Sequence, residues 1–160
     1  MSIFFATIKK SKLIVYIVLL GSISLLHAQE LVSVGRFHNA AIGKHDVVNY
    51  HQLNQAAKGE SELVFRWKGA DWFFVNKQHL DAFASNPEKY APAYNGFCSN
   101  ALSLGKGLVR TNGKVWHIWN GKLHTFFAKR GRDRWLDNDY SEMVAAADKA
   151  WLEELQKNAK

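Results

Sequence analysis

Cysteine and proline are scarce in this sequence: one cysteine, Cys98, and two prolines occur among 160 residues. A single cysteine excludes an intramolecular disulfide, and two prolines exclude a long proline-rich linker. The chain also lacks internal repeats and low-complexity tracts. Aromatic residues are plentiful instead, and 6 Trp, 10 Phe and 5 Tyr supply ample apolar area for a core without disulfides.

The first 28 residues have the layout of a secretory signal peptide. Lys9, Lys10 and Lys12 form a positive segment, an apolar run over residues 13–26 follows, and Ala28 suits the position before a cut. The run is shorter than the ~20 apolar residues that a membrane-spanning helix needs. We therefore predict export to the periplasm or the extracellular space, with membrane attachment only through an uncleaved N-terminal segment.

Net charge and length limit the classes of protein to consider. Loss of residues 1–28 lowers the formal charge from +7 to +4, because three lysines and no acidic residue are removed. Such a mild positive balance argues against dedicated nucleic-acid binding. The remaining length suits one domain, which we predict over residues 41–158 after a lead-in over residues 29–40.

Two β-hairpins are predicted from alternating aromatic and β-branched residues. The first covers residues 63–75 with its turn at residues 68–71. The second covers residues 114–127 around Asn120-Gly121, and Asn-Gly between apolar runs is the strongest short hairpin signal.

Apolar residues spaced three and four apart predict helices over residues 77–85 and 140–157. Asn76 suits the N-cap of the first helix, and Asn86-Pro87 ends it. Residues 51–61 are polar, and Gly59-Glu60-Ser61 predicts a loop. The sum is an α+β fold, a single compact domain with two antiparallel β-hairpins packed against helices.

Cys98 has four candidate roles: a buried apolar side chain, a metal ligand, a reactive nucleophile or a contact for a partner. Thiolate suits Cu(I) or zinc, and imidazole suits both metals, so Cys98 with one or two histidines is a candidate copper site. Burial is the alternative, since it is a common fate of free cysteine. Catalysis is the least supported, because the sequence places no base beside Cys98 and shows no oxyanion device.

His117 and His124 are the second pair of candidate ligands. A two-residue turn that pairs Trp119 with Lys122 also sets His117 opposite His124, with Cβ atoms about 4.5–5.5 Å apart. Two imidazoles at that distance can share one metal ion. The alternative is a solvated cross-strand pair.

The remaining candidates are weaker. His45 is a further candidate ligand, and it could also pair with Asp46 in a His–carboxylate arrangement. Because adjacent strand residues point to opposite faces, Asp46 is instead expected to form a turn or to accept from backbone amides. His51 and His79 are expected to be exposed. The basic run over residues 129–134 is expected to be a solvated loop or helix start, with an anion, a lipid headgroup or an acidic partner as the alternative.

Several motifs keep a recognisable order along the chain: Ala41-Ile42-Gly43-Lys44-His45-Asp46-Val47-Val48-Asn49-Tyr50, Trp67-Lys68-Gly69-Ala70-Asp71-Trp72-Phe73-Phe74, Asn86-Pro87-Glu88-Lys89-Tyr90, Tyr94-Asn95-Gly96-Phe97-Cys98-Ser99, Asn120-Gly121-Lys122-Leu123-His124 and Ala147-Asp148-Lys149-Ala150-Trp151. Together they resemble the YHS domain, and more closely the exported single-domain YHS proteins of bacteria. The resemblance covers about residues 41–155. It implies metal binding, with copper favoured.

Two departures from the family pattern limit what the resemblance implies. Metal-linked YHS domains carry a cysteine pair at the second strand and the following helix start, whereas residues 74–79 hold no cysteine here. The second departure is that His45, His51 and His124 stand where the family has aromatic residues. A metal site in this chain would therefore need other ligands than the family's thiolate pair.

Three hypotheses result. The first is an exported metal-binding accessory or buffering protein that uses Cys98 with a subset of His117, His124 and His45, for copper or alternatively zinc. The second is a non-catalytic binding or structural module without metal. The third is a thiol-dependent enzyme with Cys98 as its nucleophile. The sequence does not indicate a protein partner for any of the three.

Overall fold

The computed structural model describes residues 31–159, and the predicted signal segment lies outside the described residues. The α+β fold is confirmed. Among the helices of residues 31–159, none has the length and apolar character that a membrane crossing requires. The helices are α1 (Val47–Leu53), α2 (Lys77–Ser85), α3 (Pro87–Tyr90), α4 (Ser99–Ser103), α5 (Lys129–Leu136) and α6 (Tyr140–Asn158).

The first hairpin pairs β1 (Val64–Trp67) with β2 (Ala70–Phe73) in antiparallel register. Its turn consists of Lys68 at φ 49° and Gly69 at φ 71°, so two residues close it and β2 begins two residues earlier than predicted. The early start follows from the positive φ of both turn residues, which matches the twist of a tight hairpin.

The second hairpin pairs β3 (Val115–Trp119) with β4 (Lys122–Phe126) around Asn120 and Gly121, as predicted. Both turn residues have positive φ, 45° and 74°. Trp119 faces Lys122, so the predicted closing pair is confirmed.

Side-chain caps fix where several helices begin. Asn76 accepts from the His79 amide at 2.8 Å and starts α2 as predicted. Asn86 ends α2 and caps α3, where Pro87 occupies the first turn. The predicted loop over residues 59–61 is confirmed, and α1 ends before it at Leu53.

The buried side chains form two clusters that meet at the second hairpin. The hairpin core comprises Val32, Ala41, Ile42, Val47, Val48, Tyr50, Ala70, Trp72, Phe74, Phe83, Tyr90 and Leu123. The terminal-helix core comprises Ala93, Tyr94, Phe97, Cys98, Ala101, Leu102, Phe126, Trp135, Tyr140 and Ala147. Strand β4 supplies Leu123 to the hairpin core and Phe126 to the terminal-helix core, so it forms a wall that the two clusters share.

Parts of the predicted lead-in and of the basic run pack onto the rest of the domain. Val32 is buried in the hairpin core, and the Ser33 hydroxyl accepts from the Thr111 amide at 3.0 Å. The basic run lies in the first turns of α5, and Arg134 donates to Asn100 on α4 at 2.9 Å. The expected helix start is thus confirmed for the run, and one of its cations joins α5 to α4.

Candidate functional site

Cys98 is a buried thiol, 3% exposed, in the terminal-helix core. Its Sγ accepts from the Phe127 amide at 3.3 Å, and its own amide donates to the Val109 carbonyl at 2.8 Å. It also forms a β-bridge with Thr125 of β4. The surroundings are those of a packed side chain, which matches the first of its four candidate roles.

The predicted register of His117 and His124 is confirmed, since the two residues face each other across β3 and β4. His124 is 4% exposed, while His117 is only partly buried. The Nδ1 atom of His124 lies 3.0 Å from the Ser99 hydroxyl. The β-bridge between Cys98 and Thr125 lies beside this contact, because Cys98 precedes Ser99 and Thr125 follows His124 in the sequence.

His45 lies apart from these residues, against the hairpin core. Its ring stacks on Tyr50 with centroids 6.3 Å apart, and its Nδ1 lies 3.2 Å from the Ile42 carbonyl. Burial lowers the pKa of His45, with nearby lysine charges acting in the same direction. Within residues 31–159, no three His, Cys, Asp or Glu side chains form a group that could hold a metal ion.

Asp46 accepts hydrogen bonds from backbone amides, as expected. His79 was expected to be exposed but is buried, with only 4% of its surface exposed. The His79 Nδ1 atom lies 2.7 Å from the Asp46 Oδ2 atom. The expectation was wrong because the Asn76 cap starts α2 beside α1, whose N-cap is Asp46. His51 is likewise partly buried on α1, edge-on to Tyr90 at 5.7 Å.

A cavity of about 620 Å³ opens beside His124, between the second hairpin and α6. Its walls are aromatic: Trp119 stacks on Tyr140 with centroids 4.0 Å apart, and the Tyr94 and Trp151 rings are 6.1 Å apart. The His124 ring meets Tyr140 edge to face at 5.5 Å. Volume and lining are typical of a small-molecule site, which is concave, apolar and carries few polar groups.

The polar groups of the cavity differ in whether they are already paired. The Tyr94 hydroxyl donates to Asp148 at 2.9 Å. The Tyr140 hydroxyl is buried, and within the described part of the chain it has no hydrogen-bond partner. The other polar lining residues are Asn120, Lys122, His124 and Ser141. An unpaired buried hydroxyl costs about 1–3 kcal/mol, so Tyr140 favours a ligand that supplies the partner.

Burial sets the charge states around the cavity. It lowers the pKa of His124 to about 4, with the Lys122 and His117 charges as smaller causes. It also raises the pKa of Tyr140, to which the Asp148 charge adds. At neutral pH the cavity therefore presents a neutral imidazole and a protonated phenol.

The Ser99 contact decides which His124 nitrogen carries the proton. Ser99 is fully buried, and His124 Nδ1 is the hydrogen-bond partner of its hydroxyl among residues 31–159. A buried hydroxyl proton needs an acceptor, so Ser99 donates to Nδ1 and the neutral ring carries its proton on Nε2. Ser99 lies outside the cavity lining, which leaves the Nε2–H group to a ligand.

The sequence pointed to His124 but not to the cavity around it. Tyr140, Val144, Asp148 and Trp151 follow each other at spacings of four, four and three along α6, which places them on one helix face. That spacing was a usable signal for the α6 side of the site. The approach of α6 to the second hairpin has no local signal.

No protein-family model, curated protein or solved structure matches the chain. The YHS resemblance therefore stays a prediction from the motifs alone.

Proposed function

We propose that this chain is an exported, non-catalytic binding protein that holds a small organic ligand in the cavity beside His124. The observation that carries the proposal is Tyr140, which lines an aromatic cavity and whose buried hydroxyl has no partner within residues 31–159. A ligand acceptor would recover the lost hydrogen bond. The aromatic walls would bury the rest of a small ligand.

The neighbouring polar residues support binding over catalysis. The candidate nucleophile Cys98 is packed in the terminal-helix core and does not line the cavity. Ser99 donates to His124 but also lies outside the lining. A nucleophile must reach the reacting atom of the substrate, and neither side chain faces the space where a ligand would sit.

Neighbouring alanines on α6 provide a matched test. Ala145 lines the cavity, whereas Ala146, also exposed, does not. We expect ligand-observed NMR with a library of small aromatic fragments to detect binders for the purified wild type and for Ala146→Trp, but not for Ala145→Trp. Equal binding to both variants, or no binder for the wild type, would remove the proposal.

A second candidate function is copper binding between His117 and His124, in an accessory or buffering role. It is favoured by their facing positions in the register of β3 and β4. Burial lowers the pKa of both rings, so both are neutral at pH 7, as metal ligands must be. Zinc is the alternative metal, and Cys98 and His45 would have to move to join the site.

A Cu(I) and Zn(II) titration of the reduced protein tests this candidate. We expect His117→Gln to weaken Cu(I) binding at least tenfold, while His38→Gln, an exposed histidine outside the hairpin, leaves it unchanged. Alkylation of Cys98 with and without metal shows whether the thiol takes part. Equal Cu(I) affinity in both variants would exclude the His117 and His124 pair.

A further inference from the structure

The cavity beside His124 offers more hydrogen-bond donors than acceptors, and this imbalance indicates the chemistry of its ligand. This ligand chemistry presupposes the proposed binding function. The residues that line the cavity carry hydrogen-bond donors on Tyr140, His124, Lys122, Asn120, Ser141, Trp119 and Trp151. The Asp148 carboxylate is the charged acceptor in the lining, and it already accepts from Tyr94.

Three of these groups, on Tyr140, His124 and Lys122, can donate to a ligand. Tyr140 is 7% exposed, and its hydroxyl is unpaired within the described residues. His124 presents Nε2–H because Ser99 donates to its other nitrogen. Lys122 is partly buried and has no acceptor capacity. An oxygen that accepts several hydrogen bonds, and preferably carries negative charge, complements all three groups.

We propose that the ligand is a small aromatic monocarboxylate, whose ring lies between Trp119 and Trp151 and whose carboxylate accepts from Tyr140 and His124 beside Lys122. A carboxylate has two oxygens and about four acceptor positions, enough for these donors. A flat ring matches the aromatic walls, where offset or edge-to-face contacts are favourable.

Asp148 selects for one carboxylate and against two. Asp148 is an exposed residue, so solvent screens its charge more than that of the partly buried Lys122. A second acidic group on the ligand would approach this carboxylate. We therefore expect Asp148→Asn to increase the affinity for a monocarboxylate about twofold and to relax the discrimination against dicarboxylates.

Three probes of similar size test the ligand class by tryptophan fluorescence titration of the purified protein: phenylacetate, its isostere phenylacetamide, and 2-phenylethylamine. We expect phenylacetate to bind roughly tenfold tighter than phenylacetamide, because charge-assisted hydrogen bonds are about twice as strong as neutral ones. The amine should bind most weakly. Equal affinity for phenylacetate and phenylacetamide, or tightest binding of the amine, would overturn the carboxylate.

Two variants connect the preference to the named donors. Lys122→Met should weaken phenylacetate about tenfold and leave phenylacetamide unchanged, whereas Lys129→Met, which removes an exposed cation outside the cavity, should change neither. Tyr140→Phe should weaken both probes. An unchanged preference for phenylacetate in Lys122→Met would contradict the proposed role of the cation.

The outcomes separate this inference from the binding function on which it rests. If none of the three probes binds, while other aromatic fragments bind the wild type and not Ala145→Trp, the carboxylate is wrong and the binding site stands. If no fragment of any chemistry distinguishes Ala145→Trp from Ala146→Trp, the binding function itself is wrong.

Discussion

Asp46 is the most densely hydrogen-bonded side chain of the molecule's described part, and it is fully buried. Its Oδ1 atom accepts from the Val48 and Asn49 amides at 2.8 and 3.1 Å. Its Oδ2 atom accepts from the Val75 amide and lies 2.7 Å from His79 Nδ1. One carboxylate thus caps α1 and ties it to the segment that leads into α2.

Replacement of Asp46 by alanine should lower the free energy of unfolding by on the order of 3–5 kcal/mol, because it leaves several buried donors unpaired. Asp139→Ala is the matched control, since Asp139 also caps a helix but accepts from two exposed amides. Loss of an exposed cap costs about 1 kcal/mol. Urea denaturation measures both, and equal losses would contradict the special role of Asp46.

Stability should decrease as the pH falls through the range where His124 is neutral only in the folded state. The pKa of His124 is lowered from 6.5 to about 4, so between these values the unfolded chain binds the extra proton. This residue alone should then cost about 3 kcal/mol of stability between pH 7 and pH 4. The effect is absent above pH 7 and complete below pH 4.

The pH dependence can be assigned to His124 by substitution. Burial also lowers the pKa of His45, His51 and His117, so all four histidines act in the same direction. His124→Gln should reduce the slope of stability against pH between 4 and 6.5, while His38→Gln, at an exposed site, serves as the control. An unchanged slope in His124→Gln would show that this histidine titrates normally.

At the scale of elements, Gly121 and Gly113 have nearly the same positive φ but different surroundings. Substituting each by alanine therefore distinguishes the cost of backbone strain from the cost of steric crowding. Gly121 has φ 74° in the β3–β4 turn, and an added Cβ would meet nothing within 4 Å. Gly113 has φ 77°, but an added Cβ would lie 2.7 Å from the Ile42 carbonyl and 2.7 Å from the Tyr50 hydroxyl. Tyr50 donates to the Gly113 carbonyl at 2.6 Å, which holds the segment in place.

Gly121→Ala should cost about 1 kcal/mol, the strain of positive φ alone. Gly113→Ala should cost about 2–4 kcal/mol, because crowding adds to the same strain. Thermal unfolding of the two variants measures the difference. Equal destabilisation would mean that the segment around Gly113 relaxes freely.

Elements with local signals were predictable, and contacts between distant elements were not. The Asn-Gly turn fixes the register of its hairpin, so the facing positions of His117 and His124 followed from the sequence. The contact between Asp46 and His79 joins residues 33 apart, and no local pattern encodes it. The cavity needs α6 to pack beside the hairpin, which depends on the whole terminal-helix core.

At the scale of the whole molecule, Cys98 reports on global unfolding. Its neighbours come from two segments: the Val109 carbonyl, and Thr125 with the Phe127 amide at the end of β4. Exposure of the thiol requires both segments to separate from it. We therefore expect the rate of Cys98 alkylation in mild urea to follow the unfolding equilibrium, with protection close to that of the slowest amides.

The same measurement bears on the thiol-dependent enzyme. Rapid alkylation of native Cys98 at neutral pH, faster than unfolding allows, would contradict the burial of the thiol and revive that hypothesis. The unfolded protein in strong denaturant gives the intrinsic rate for comparison.

The shared wall formed by β4 has a consequence for how the protein opens. Leu123 packs into the hairpin core and Phe126 into the terminal-helix core, only three residues apart on one strand. Neither cluster can come apart without disturbing the strand that also holds the other. The two cores should therefore behave as one cooperative unit, and the slowest-exchanging amides of both should share a single opening free energy.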